Sequence, residues 1–188
     1  MPVTPSRVDD VDTDSTSIGV DVDWVVNIVN ELSTPTRTAA GELDDVAGAI
    51  SAGPAEIEVL SNDDLVVVAD GWFEVFRAAP DPVAVCDVLN ELLRAARPTI
   101  NAANDGSNVS VSAGFADSAT AAERLCAHGA MALLDVVAEI GVERIGLCSA
   151  AHCVDVYIDR SPRRNRRYCS QLCQTRERVQ RHRSRTRT

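Results

Sequence analysis

Four of the six cysteines fall within one short stretch, as Cys148, Cys153, Cys169 and Cys173, in the pattern C-x4-C-x15-C-x3-C. Structural zinc is bound by four soft ligands in a tetrahedron, and such ligands usually come as two close pairs. The gap of three residues also places Cys169 and Cys173 about one turn apart, on the same face of a helix's first turn. Because four thiolates leave no open coordination position, the pattern predicts one structural zinc ion per chain rather than a catalytic metal.

The other interpretations of these four cysteines are coincidental core residues or a disulfide pair. No secretory signal and no run of 18 apolar residues is visible in the sequence, and we expect neither a signal peptide nor a membrane span. We therefore expect a soluble, cytoplasmic protein with no membrane association, and thiols stay reduced in the cytoplasm. In that compartment, paired cysteines indicate metal ligands. The remaining two, Cys86 and Cys126, lie on the apolar faces of predicted helices and are expected to be buried in the core.

Arginines surround the four cysteines. Residues 148–188 hold 11 Arg against 3 Asp or Glu, a balance of +8, whereas residues 1–147 hold 25 Asp or Glu against 7 Arg, a balance of −18. A basic segment attached to an acidic body is typical of a protein that meets a polyanion. We predict nucleic-acid binding, with DNA as the partner and RNA left open, through Arg160, Arg163, Arg164, Arg166, Arg167, Arg176, Arg178, Arg181, Arg183 and Arg185.

These arginines have two other interpretations. They could be a solvated, solubilising tail, or they could dock on an acidic surface of the protein itself or of a partner. In the second case the segment would be a zinc-stapled protein-interaction module without nucleic acid. We favour nucleic acid because eleven arginines around a rigid module exceed what solubility requires.

The residues before the cysteines predict a mostly α-helical domain. Apolar residues recur at helical spacing in five segments, near 22–33, 38–51, 62–79, 81–98 and 117–142. Residues 108–115 alternate like a strand that forms half of a hairpin, and a short strand is predicted within 154–158. We expect an acidic disordered tail over 1–20, a helical domain over 21–143 that folds on its own, and a zinc module over 144–188 that ends in a basic helix.

No feature of the helical part predicts catalysis. It has no nucleophile elbow, phosphate loop or paired-carboxylate site. We therefore expect a protein that is not an enzyme, and an enzyme within the helical domain is the less favoured alternative. A sensory or oligomerising role, for example as a homodimer, is the expectation for this domain.

The cysteine-containing segment resembles the CGNR zinc-finger family. The resemblance is carried by Cys148 and Cys153, by Asp159 and Ser161 after the aromatic Tyr157, and by the arginines from 163 to 167. It continues through Tyr168-Cys169-Ser170 and Cys173-Gln174-Thr175-Arg176. Tyr168 stands where the family has tryptophan, and Gln174-Thr175 stand where it has Gly-Asn.

That resemblance implies a bacterial DNA-binding regulator of transcription. In the family, a helical domain called ABATE precedes the finger. The helix order here and the segment "WVVNIVNEL" near 24–32 are similar to such a domain.

Overall fold

The structure is a computed structural model, and it describes residues 20–41, 60–104 and 109–185. These residues form six α-helices, four short β-strands and a single-turn 3₁₀ helix. The helices are α1 (Val22–Leu32), α2 (Thr34–Ala40), α3 (Asn62–Ala78), α4 (Pro82–Ala96), α5 (Ala121–Ile140) and α6 (Gln171–Arg185). The strands are β1 (Thr99–Asn104), β2 (Val109–Gly114), β3 (Ile145–Leu147) and β4 (Val156–Ile158), and the 3₁₀ helix is Val142–Arg144. The predicted mostly helical fold with a small C-terminal cysteine module is confirmed.

Side-chain caps set where the two long helices begin. Ser61 and Asp64 form a reciprocal capping box at the start of α3, in which each side chain accepts the other's backbone N–H. Thr120 and Glu123 do the same for α5. The predicted start of α5 at Asp117 was therefore too early, because the capping box makes the helix begin at Ala121.

The core is centred on α3, which contacts α1, α4 and α5. Trp72 and Phe76 of α3 are fully buried. The Trp72 ring lies on Gly129 of α5, where a Cβ would overlap the indole. Its Nε1 donates to the Cys126 carbonyl at 2.9 Å, and Trp24 packs against it edge to face at a centroid distance of 5.9 Å. A buried indole with its N–H satisfied is a large source of apolar stabilisation.

The second predicted helix, near 38–51, is only partly within the described residues. Its first residues end α2, which is capped by Gly41 in the left-handed region at φ 77°. The apolar residues on which that prediction rested, from Leu43 to Ile50, lie outside the described residues, as do residues 1–19 of the tail predicted over 1–20.

The predicted β-hairpin is confirmed. Strand β2 pairs antiparallel with β1, with Ile100 opposite Ala113 and Asn104 opposite Val109. The side chains of Ile100 and Val109 are 60% and 67% exposed, so one apolar face of this hairpin is open to solvent.

Burial of Cys86 was a wrong prediction. The α4 face that enters the core carries Val85 and Leu89, and Cys86 follows Val85 by about 100° around the helix, which turns its thiol to solvent. Cys126 is half-buried against the core, and burial raises its pKa to about 11.

The core continues into the cysteine module. Strands β3 and β4 pair antiparallel, and their side chains Ile145, Val156 and Ile158 are buried in the same cluster as the helices. Asn30 of α1 bonds both sides of the Val156 backbone: its Oδ1 accepts from the Val156 N–H at 2.7 Å, and its Nδ2 donates to the Val156 carbonyl at 3.2 Å. The domain boundary before residue 144 stays a prediction, but apolar packing runs across it.

Candidate metal centre and basic surface

Three local structures bring the four cysteines together. Cys148 follows β3, and its N–H donates to the Asp155 carbonyl at 2.8 Å, at the base of the β3–β4 loop. Cys153 ends a tight turn in which its N–H donates to the Ala150 carbonyl at 3.2 Å. Cys169 lies just before α6, and Cys173 lies in the first turn of that helix. We predicted both Cys169 and Cys173 within the first turn of a helix, whereas in the structure Cys169 precedes the helix.

The sulfur atoms have the spacing of a tetrahedral zinc site. All four ligand atoms lie within 4.8 Å of one another. The Cys169 sulfur is 3.7 Å from that of Cys153 and 3.6 Å from that of Cys173. Zinc–sulfur bonds of ~2.3 Å in a tetrahedron place the sulfurs about 3.8 Å apart, whereas a disulfide requires ~2.05 Å. The residues fit zinc, and none of the four cysteines forms a disulfide in the structure.

The cysteine thiols form hydrogen bonds with one another, and bonds to a divalent cation would replace them. Burial raises the pKa of the Cys153 thiol to about 12, and burial together with a hydrogen bond to Asp155 raises the pKa of Cys169. Burial opposes ionisation of Cys173, but hydrogen bonds from Ser170 and from the other three thiols hold its pKa below the usual value. Zinc would supply the positive charge that stabilises all four thiolates.

Two hydrogen bonds tie α6 to the rest of the module. The Ser170 hydroxyl accepts from the Cys173 N–H at 3.3 Å and so caps the helix. The Glu177 carboxylate accepts from the Ala151 N–H at 2.7 Å, which links the second turn of α6 to the loop between Cys148 and Cys153. The orientation of α6 is therefore fixed by protein contacts as well as by the cysteines.

A buried carboxylate organises the arginine-rich turn, which we define as residues 159–167. Asp159 is 3% exposed; its carboxylate accepts from the N–H groups of Ser161 at 2.8 Å and of Arg166 at 2.9 Å. Burial opposes its ionisation, but these hydrogen bonds and the nearby Arg144 hold the pKa of Asp159 below its usual range. Arg144 is itself buried and donates to the Ser161 carbonyl at 3.0 Å.

The side chain of Arg166, one of the arginines predicted to bind nucleic acid, bonds the module's own backbone. Its guanidinium donates to the carbonyls of Ile158 at 3.1 Å and Tyr168 at 3.0 Å, and also to that of Cys169. It also lies over the Tyr157 ring, 5.6 Å from the centroid. These contacts use most of the guanidinium's donors, so we interpret Arg166 as a residue that holds the turn against the zinc site.

Two further predicted arginines face acidic residues of the same chain. Arg160 contacts both carboxylate oxygens of Asp23 on α1, at 2.8 and 3.0 Å. Arg164 is 3.8 Å from Glu143. Both pairs are solvent-exposed, and such pairs typically contribute under ~1 kcal/mol. A polyanion could therefore compete for these two arginines at small cost.

Six of the predicted arginines remain exposed, and within residues 20–41, 60–104 and 109–185 none of them forms an ion pair. They are Arg163 and Arg167 in the turn, and Arg176, Arg178, Arg181 and Arg183 on α6. The tenth predicted arginine, Arg185, ends α6.

Four thiolates at tetrahedral spacing, on a short hairpin and the start of a helix, define a structural zinc module. Residues 144–186 match the CGNR zinc finger family, and the chain therefore carries a CGNR zinc finger over that range with zinc as its metal. The match leaves the helical part before residue 144 outside it. No curated protein matches the chain.

Sequence reasoning missed the residues that support the site. Asn30 and Arg144 were not singled out, and Asp159 entered only through its place in the family pattern. Asp159 and Ser161 have an available signal, because an Asp two residues before a Ser that opens a turn often accepts its N–H. No local sequence pattern indicates the role of Asn30, because its partner Val156 lies 126 residues away.

Proposed function

We propose that this protein binds DNA through the arginines of its zinc finger and acts as a regulator of transcription. The observation that carries the proposal is the set of six exposed arginines, unpaired within the described residues, on a module that zinc and hydrogen bonds make rigid. Phosphate groups are the natural counter-surface for guanidinium groups that the protein itself does not neutralise. Zinc supplies no chemistry here beyond holding the backbone, since four thiolates close its coordination sphere.

The charge distribution supports a polyanionic partner. The residues from 148 onward are basic by +8, although the whole chain has a formal charge of −10. Exposed, like-charged guanidinium groups on one small module repel each other, and this repulsion is relieved when phosphate binds. The exposed guanidinium groups also disfavour an enzyme at this site. The module presents groups that bind a partner, and its described residues include no general base beside an open metal position.

The helical part, in this proposal, is an ABATE-like sensory or oligomerising domain of a cytoplasmic bacterial protein. Among the described residues, no helix is both long and apolar enough to cross a bilayer. The open hairpin face with Ile100 and Val109 supports a homodimer, because residues 99–104 and 109–114 carry no charged side chain. Two acidic copies could meet there without bringing their carboxylates together. Sedimentation velocity of wild type and Ile100→Asp would test this, and a monomeric wild type would contradict it.

The test of DNA binding is its salt dependence. Fluorescence anisotropy of the full, zinc-loaded chain with a labelled 20-base-pair duplex should give log affinity falling with log salt at a slope of about −4, for ~4 phosphate contacts at ~0.9 each. Replacing Arg163 and Arg167 with Ala should reduce the steepness of that slope by about 1.8. A matched control removes the same charge from the helical part, through Arg77→Ala with Arg94→Ala, and should leave the slope unchanged.

Two results would contradict the proposal. One is the absence of binding to any duplex at ~50 mM salt, where electrostatic affinity is strong. The other is an equal change of slope in the finger and control variants, which would mean that only net charge matters. The zinc-stapled protein-interaction module would then be the better interpretation, and an acidic protein partner would replace DNA.

A further inference from the structure

Helix α6 has one side that faces its own module. Cys173 on this side is 6% exposed and belongs to the zinc site. Glu177 follows one turn later and accepts the Ala151 N–H. Because these contacts fix the rotation of α6 about its axis, the other residues of the helix divide between two flanks.

The first flank turns toward the helical part. Arg176 and Arg183 line a groove of about 850 Å³ together with Leu172 and Val179, and α2 forms its far wall through Ala39, Ala40 and Thr36. The groove also contains the carboxylates of Asp155 and Glu177. Both the protein wall and these carboxylates disfavour a polyanion on this flank.

The second flank turns toward the arginine-rich turn. Gln171 and Gln174 line a cleft of about 370 Å³ whose other wall includes Asn165 and Arg167. No residue that lines this cleft is acidic. The second flank and Arg167 of the turn therefore border one cleft that is lined by hydrogen-bond donors and has no acidic residue.

Helical periodicity extends this second flank along α6. At about 100° per residue, Gln171, Gln174, Arg178 and Arg181 fall within an arc of about 80°, and all four are exposed. Arg176 and Arg183 lie about 170° away from the centre of that arc. Arg176 and Arg183 are thus one pair on the first flank, and Arg178 and Arg181 are a second pair on the opposite flank.

We propose that α6 enters the major groove of duplex DNA with the flank that carries Gln171, Gln174, Arg178 and Arg181, and that Gln174 selects adenine. This inference rests on the DNA binding proposed above. A glutamine amide matches the donor and acceptor of adenine's N7 and N6 edge, and the major groove admits an α-helix.

The arrangement of the flanks is tested by two matched double variants of the full, zinc-loaded chain. Arg178→Ala/Arg181→Ala and Arg176→Ala/Arg183→Ala each remove two positive charges from exposed sites on the same helix. With a labelled 20-base-pair duplex, the first pair should reduce the steepness of the salt slope by about 1.8. The second pair should leave the slope within error of wild type. Circular dichroism and zinc content of both variants serve as the folding control.

Base selection by Gln174 is tested with a random 20-base-pair duplex pool. Sites selected by wild type should contain one adenine whose replacement weakens binding about 10- to 100-fold. Gln174→Ala should abolish that preference and leave the salt slope unchanged. Gln180 is an exposed glutamine that lines the groove on the first flank, so Gln180→Ala should keep the adenine preference.

The outcomes separate this inference from the proposed function. Equal slope losses in the two arginine pairs, or an adenine preference that survives Gln174→Ala, would overturn the inference while DNA binding stands. Failure of the wild-type chain to bind any duplex would overturn both.

Discussion

Replacement of Asn30 by alanine should destabilise the whole protein, although Asn30 lies on α1 and far in sequence from the zinc finger. Its amide occupies the free edge of β4, where a third strand would otherwise pair, and it bonds both the N–H and the C=O of Val156. Val156 is 1% exposed. Alanine removes both partners and leaves a buried donor and a buried acceptor without replacements.

The magnitude follows from these two bonds. A neutral hydrogen bond contributes about 1 kcal/mol net, and an unsatisfied buried group costs ~1–3 kcal/mol. Because Asn30 is only half-buried and water can reach part of the gap, we expect a loss of about 2–3 kcal/mol in the free energy of unfolding. With a urea m-value of ~2 kcal/mol/M, the midpoint should fall by about 1–1.5 M.

The assay is urea unfolding of the zinc-loaded chain, followed by circular dichroism for the helices and by a zinc-sensitive dye for the finger. Asn27→Ala is the matched control, since Asn27 is exposed on the same helix and such surface changes usually stay within ~0.5 kcal/mol. We expect the helical signal and zinc release to shift together in Asn30→Ala. A loss no larger than that of Asn27→Ala, or a shift confined to zinc release, would refute the reasoning.

Two further substitutions test the zinc site and the turn beside it. Cys169→Ser should reduce the zinc content from one ion per chain to near zero by inductively coupled plasma mass spectrometry, whereas Cys86→Ser, at the exposed cysteine of α4, should leave it at one; zinc retained by Cys169→Ser would contradict the four-cysteine assignment. Asp159→Asn should lower the free energy of unfolding at pH 7 by about 1–3 kcal/mol, because an amide puts a donor opposite one of the two N–H groups that the ionised carboxylate accepts. An unchanged urea midpoint for Asp159→Asn would mean that the turn does not depend on this carboxylate.

Local patterns in the sequence predicted the elements whose causes are local. The apolar spacing of α1, α3, α4 and α5 is visible without any knowledge of the fold, and the alternation of residues 108–115 is that of β2. The cysteine spacing predicted the metal site for the same reason, because a tetrahedral site formed from two close pairs constrains each pair locally. The position of Cys169 was misjudged by two residues, since the Ser170 cap starts the helix after it.

The arginines show what a sequence pattern cannot distinguish. Arg163, Arg164, Arg166 and Arg167 have nearly the same neighbours in sequence and the same charge. Only the fold brings three backbone carbonyls together around Arg166, whereas the side chains of Arg163 and Arg167 form no ion pair among the described residues. Likewise, Arg176 and Arg178 are only two positions apart, but they lie on different flanks of α6. Which flank faces the helical part depends on how the zinc site fixes the rotation of the helix. Charge composition therefore predicted a polyanionic partner, whereas the different roles of the individual arginines follow only from their contacts in the structure.

The shared core also changes how the acidic helical part should act on the finger. If the finger were a tethered unit, the carboxylates of the helical part could fold over its arginines and mask them. Ile145, Val156 and Ile158 are instead buried among the helices, and Asn30 holds β4 in place, so the finger has a fixed position on the helical part. In that position, Arg176 and Arg183 are the arginines that face α2, while Arg178 and Arg181 lie on the opposite flank of α6. An isolated finger would expose three apolar side chains and lose the contact between Arg160 and Asp23. The helical part therefore stabilises and orients the surface that we propose to bind DNA, and a change in the packing of α1 would reach that surface through β4.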